Sequence, residues 1–73
     1  MFDIHDRVYL NLIAKRNWLD HETEEIIARV SKMESVEGYS SPWSFIVAYR
    51  ADYEKTRNEL TRLIDKRIEE LSK

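Results

Sequence analysis

One glycine and one proline stand in this 73-residue chain, and both fall within five residues, Gly38-Tyr39-Ser40-Ser41-Pro42. These two residue types are the strongest local punctuation a chain has, so this pentapeptide is the one clear break. Upstream, Asp20-His21-Glu22-Thr23-Glu24-Glu25 has the form of a helix start, with Asp20 as N-cap and acids behind it suited to the positive end of the helix dipole. Ile26, Ile27, Val30 and Met33 follow at helical spacing, and Gly38 stands where a left-handed C′ residue is needed. These signals predict a helix over about 21–37. Downstream, Ser41 is a cap and Pro42 suits the first helical position, where its missing N–H costs nothing. No breaker follows, and Ile46, Tyr49, Tyr53, Leu60, Ile64, Ile68 and Leu71 keep the 3.6-residue period. A helix over 42–71 is about 45 Å long. Arg50–Glu54, Lys55–Glu59 and Lys66–Glu70 are expected to support its outer face as i,i+4 pairs.

The first segment reads two ways. Ile4, Val8 and Leu12, with Tyr9 and Ile13, form a helical face that Asp3 can cap, yet Val8, Leu10 and Leu12 also alternate as a strand does. No second strand candidate exists, and a lone strand leaves its backbone groups unpaired, so a helix over about 3–17 is expected. The fold class is therefore all-α: a single domain, 1–73, built as a small bundle of three helices with a long C-terminal one. Five of the eight aromatics (Tyr39, Trp43, Phe45, Tyr49, Tyr53) crowd into fifteen residues, and the three helices are expected to converge there. The last turns would then project, carrying an apolar stripe of Leu60, Leu63, Ile64, Ile68 and Leu71. Such a stripe needs cover from the first helix, a second copy or a partner. A domain this small buries only about 60% of its unfolded surface, which favours the last two.

Composition narrows the function. The chain holds no cysteine, which removes disulfide frameworks and zinc–thiolate sites. Its uncharged apolar runs are far shorter than the roughly 20 residues of a membrane helix, and Phe2-Asp3-Ile4-His5-Asp6 is acidic where a secretory leader is basic. A cytoplasmic protein is expected. The net charge is −2, from 12 basic and 14 acidic residues, unlike the basic balance of a duplex-DNA binder. The asymmetry is one acidic block at 20–37: six acids (Asp20, Glu22, Glu24, Glu25, Glu34, Glu37) against Arg29 and Lys32, net −4. A solvated helix face is the plain reading of such a block. Its functional reading is docking on a basic protein surface, where complementary charge speeds encounter and sets register.

No catalytic constellation is legible. His21-Glu22-Thr23-Glu24-Glu25 starts like a zincin helix but has Glu25 where the second histidine must stand. His5-Asp6 with Asp65 supplies too few ligands for a metal. Neighbouring acids such as Glu24–Glu25 and Glu69–Glu70 point about 100° apart on a helix and cannot flank one scissile bond. There is no glycine-rich phosphate cradle, and Ser40, Ser41 and Ser44 lack a nearby activating histidine. Neither enzyme activity nor a cofactor is expected. Tyr49, Tyr53 and Arg50 have the ingredients of a single-strand stacking platform, but the tyrosines lie on the inward stripe, so no nucleic-acid binding is expected. Trp18, behind Lys15-Arg16-Asn17, reads either as core packing or as a binding anchor.

A short, cysteine-free, all-helical chain with an acidic face and a surplus apolar stripe resembles, in length and general character, the small RNA-polymerase-binding transcription regulators of lytic phages, of the sigma-displacing and antiterminating type found in a Xanthomonas phage. The resemblance implies inhibition of initiation by sigma displacement, antitermination, and binding near the RNA exit channel of the host polymerase, at the basic N-terminal segment of β′ and the β flap. It makes Asp20, Glu22, Glu24 and Glu25 the candidate β′ contacts. Ala48-Tyr49-Arg50-Ala51-Asp52 and Asn58-Glu59-Leu60 are also similar to one stretch of the haemolysin-expression modulators, small helical partners of a nucleoid protein. The rival reading is a self-associating helical module, a homodimer with the 60–71 stripe as its seam.

Overall fold

The computed structural model describes residues 5–73, and among them the chain forms two helices and no strand. Helix α1 runs Arg7–Val30 and helix α2 runs Pro42–Leu71. The all-α class holds; the division into three helices does not. The expected break between 17 and 21 is absent because nothing from Asn17 to Asp20 ends a helix, and because Asp20 has other work. Its carboxylate accepts bonds from the Tyr53 hydroxyl at 2.7 Å and the Arg57 Nε–H at 3.0 Å, so it is a mid-helix tertiary contact and not an N-cap. Asp3 and Ile4, assigned to the start of the first helix, lie outside the described residues. The cap is Asp6, whose side chain accepts from the Tyr9 backbone N–H at 2.9 Å.

The C-terminal end of α1 comes seven residues before the expected one. The Ser31 hydroxyl donates to the Ala28 carbonyl at 2.8 Å, and the backbone N–H groups of Lys32 and Met33 reach back only three residues, to Arg29 and Val30. A serine that satisfies one of the last orphan carbonyls and a tightened final turn are a usual helix exit. Gly38, at φ +86°, is therefore a loop residue, still in the left-handed region that glycine enters without strain. The loop doubles back on α2 through Tyr39, whose ring meets Phe45 edge-on at 5.2 Å, and Phe45 stacks on Tyr49 at 5.7 Å. The start of α2 is as read from the sequence: Ser41 caps by accepting from the Ser44 N–H at 3.2 Å, and Pro42 is at N1.

The two helices pack antiparallel along their length. Asp6 meets Arg67 at 2.7 Å, Arg16 meets Thr61 at 3.2 Å, and Asp20 meets Arg57. The last turns of α2 thus do not project; α1 lies beside them. Ile64 is buried, Leu60, Ile68 and Leu71 are half-buried, and Leu63 is exposed. Inward positions advance by three and four, Arg16, Asp20, Thr23, Ile27, Val30 against Ile46, Tyr49, Tyr53, Arg57, Leu60, Ile64, Arg67, which is the 3.5-residue repeat of helices that stay in contact over many turns. Two of the expected i,i+4 partnerships are replaced, since Glu59 pairs with Arg62 and Glu70 with Arg67.

This hairpin is thin. It measures 52 × 16 × 13 Å, and among the described residues the buried hydrophobic ones are Val30, Ile46 and Ile64, with Thr23 the buried polar one. Its accessible surface is 5854 Å², whereas a compact monomer of 8.8 kDa presents about 4,800 Å². Two helices side by side have two open flanks, and apolar side chains line them.

Candidate protein-interaction surface

The centre of the hairpin is polar. Asp20, one-third exposed, is held by Tyr53 and Arg57 from α2, and these bonds set its acidity. The Tyr53 hydroxyl bond, followed by the Arg57 guanidinium, lowers the Asp20 carboxyl below the usual carboxylate range, while the carboxylate raises the Tyr53 phenol. At the open end, the Arg67 guanidinium and the Tyr9 backbone N–H hold Asp6 down at about 2. Arg67, shared between Asp6 and Glu70, is shifted upward. Both arrangements lock α1 to α2. Asp20 and Tyr53 also line an open concavity on one side of the seam, with Thr23, Glu24, Ile27, Arg50 and Glu54. Among the described residues no group of three histidine, aspartate or glutamate side chains converges as a metal site, and no helix is long and apolar enough to cross a membrane.

The acidic block is split by the geometry. Asp20 faces α2 and Glu22 is half-buried, its Oε2 screened and without a hydrogen bond. Glu24 and Glu25 are exposed. Glu24 stands with Ile27, Arg50 and Glu54 beside one side of the seam. Glu25 lies on the outer side of α1, with His21 Nε2 3.1 Å from its carboxylate. Trp18 settles differently from its core reading: it is 65% exposed, beside a shallow concavity shared with His21, Glu22, Glu25, Ile26 and Arg29. The inward repeat explains why, since Trp18 falls midway between the seam residues Arg16 and Asp20 and so turns away from α2.

Apolar exposure is not confined to Trp18. Trp43 is 65% exposed, Val47 and Val8 about half, and Leu63 39%. Val8, Leu12 and Leu63 share one groove between the helices, and Leu19, Tyr49 and Thr56 share another. Leu12 and Leu19 are seven residues apart, as are Thr56 and Leu63, so both grooves lie on one flank. The stripe expected at Leu60–Leu71 is largely covered: Ile64 sinks into the seam, while Leu63 stays exposed and shares this flank with the half-buried Leu12 and Leu19. The most exposed apolar side chains, Trp18, Trp43 and Val47, line neither groove. The signal for the flank was present in the repeat Leu12, Leu19, Ile26, which a break at Asp20 conceals.

No protein-family model, curated protein or solved structure matches this chain.

Proposed function

We propose that this protein is a non-enzymatic regulator that works by docking on a larger protein assembly. The observation that carries the reading is Trp18: a 65% exposed tryptophan in the middle of a continuous helix, flanked by Glu22 and Glu25. Tryptophan loses little entropy on contact and offers a large area, which makes it a frequent anchor of protein interfaces, and the surrounding acids favour a basic partner surface. The resemblance to phage regulators gives that partner a name, bacterial RNA polymerase, with the basic N-terminal segment of β′ and the β flap as the surface. Docking there blocks initiation by displacing sigma and favours antitermination.

The test uses purified core RNA polymerase and the full chain in a direct binding assay, with a sigma-competition arm. Trp18→Ala and the pair Glu24→Lys, Glu25→Lys are expected to weaken binding at least tenfold while leaving helicity unchanged, since all three side chains are exposed. Equal affinity of the variants and the parent removes the docking surface. No binding by the parent removes the polymerase.

A further inference from the structure

From the open flank between the helices, we infer that its occupant is a second copy of this chain, giving a four-helix bundle with the two loops at opposite ends. The first argument is area. The chain as a whole exposes about 1,100 Å² more than a compact monomer of its mass, and a stable interface covers about 800 Å² on each partner. One face-to-face contact along the 52 Å length is the size of the surplus.

The second argument is that the flank matches itself. Leu12 lies level with Leu63, and Leu19 with Thr56; one more seven-residue step puts Ile26 level with Tyr49. A two-fold axis between Leu19 and Thr56, perpendicular to the helices, lays Leu12 and Leu63 on the partner's Ile26 and Tyr49. It also sets Leu19 on the partner's Leu19 and Thr56 on the partner's Thr56. The three layers close twice over, as an isologous interface requires. The same operation brings Lys15 against the partner's Glu22, and Glu22 against the partner's Lys15. Lys15 has no ion pair among the described residues, and Glu22 carries a screened carboxylate oxygen without a hydrogen bond. On α2 the axis brings Asp52 towards the partner's Glu59 at the exposed rim, where Arg62 already neutralises Glu59. Glu22 and Ile26 also line the concavity beside Trp18, so this contact borders the proposed docking surface. Trp18, His21 and Glu25 stay outside it, and Thr56, which does not line that concavity, tells the two apart.

Sedimentation equilibrium on the full chain tests it with charge swaps. The parent is expected at twice 8.8 kDa. Lys15→Glu and Glu22→Lys each set like charges together at two symmetric places and are expected to weaken the dimer about tenfold or more. The double swap is expected to restore it. Thr56→Glu, at an exposed helical position, places two carboxylates on the axis and weakens the dimer without touching either charge. A parent monomeric up to about 1 mM overturns the inference, including the case where another protein covers the flank. So do a double swap as weak as the single ones, and a Thr56→Glu chain with parental mass. Tightening by Glu22→Lys also overturns it, because that result belongs to loops at the same end, with Glu22 facing the partner's Asp52.

Discussion

Replacing Asp20 by asparagine separates two accounts of α1 in one experiment. In the hairpin, the Asp20 carboxylate accepts from Tyr53 at 2.7 Å and from Arg57 at 3.0 Å, 33 and 37 residues away in sequence. Asparagine keeps the shape and one acceptor oxygen but loses the charge. A hydrogen bond to a charged group contributes roughly 1.5–3 kcal/mol and a neutral one roughly 0.5–1.5; with the side chain 33% exposed, water screens part of that difference. The expected loss is about 1 kcal/mol, which lowers Tm by about 4–8 °C in a domain of this size. If Asp20 instead capped a separate helix, asparagine would serve equally well, because the two are interchangeable N-caps. Thermal unfolding followed by far-UV circular dichroism at one fixed protein concentration reads the difference. A Tm for Asp20→Asn within a degree or so of the parent refutes the mid-helix role of this carboxylate and, with it, the continuous α1.

The remaining expectations concern the ends, the loop and the surface. Asp6 is held from 3.8 down to about 2, so its stabilising bond to Arg67 is complete above pH about 4 and is lost as pH falls towards 2; Asp20 shifts in the same direction. Helicity measured during acid titration is expected to fall across that window, and Asp6→Asn to flatten the fall while lowering Tm at neutral pH. Gly38→Ala meets no atom within 4 Å but must hold φ at +86°, so denaturant unfolding should show a loss of about 1 kcal/mol; an unchanged midpoint would mean that the loop relaxes. Ser41→Ala removes the cap of α2 and should cost about 1 kcal/mol in the same assay. Trp18→Ala should leave stability within about 0.5 kcal/mol, whereas a larger loss would show that the ring is packed.

The parts of this fold legible from sequence are those written locally. Ser41-Pro42 marks the start of α2 because a cap and an N1 proline act within one turn. Gly38 signals a left-handed residue wherever the preceding helix ends. The unbroken α1 was hidden for a physical reason: an aspartate followed by three glutamates within five residues satisfies every local rule for a helix start. The partners that claim it, Tyr53 and Arg57, are more than thirty residues away and enter no local rule. That single misreading propagates. A break at Asp20 puts Trp18 in a turn, leaves α2 without a full-length neighbour, and makes the 60–71 stripe the exposed one. With α1 continuous, the 3.5-residue seam through Arg16, Asp20, Thr23 and Val30 turns Trp18 outward, and Leu12, Leu19 and Ile26 line a single flank. The surplus of apolar surface expected from the small size of the chain is there, for the most part on different residues.

Methyl nuclear magnetic resonance with a soluble paramagnetic agent addresses that surplus most directly, comparing the parent with Lys15→Glu as the opened reference. In the charge-reversed chain the Leu12, Leu19, Ile26 and Leu63 methyls should broaden. In the parent at high concentration they should be shielded, with the Trp18 indole accessible in both. Methyls equally shielded in both chains at every concentration would mean a hairpin that closes over its own flank, and the account of a surface built to be covered by another chain would be wrong.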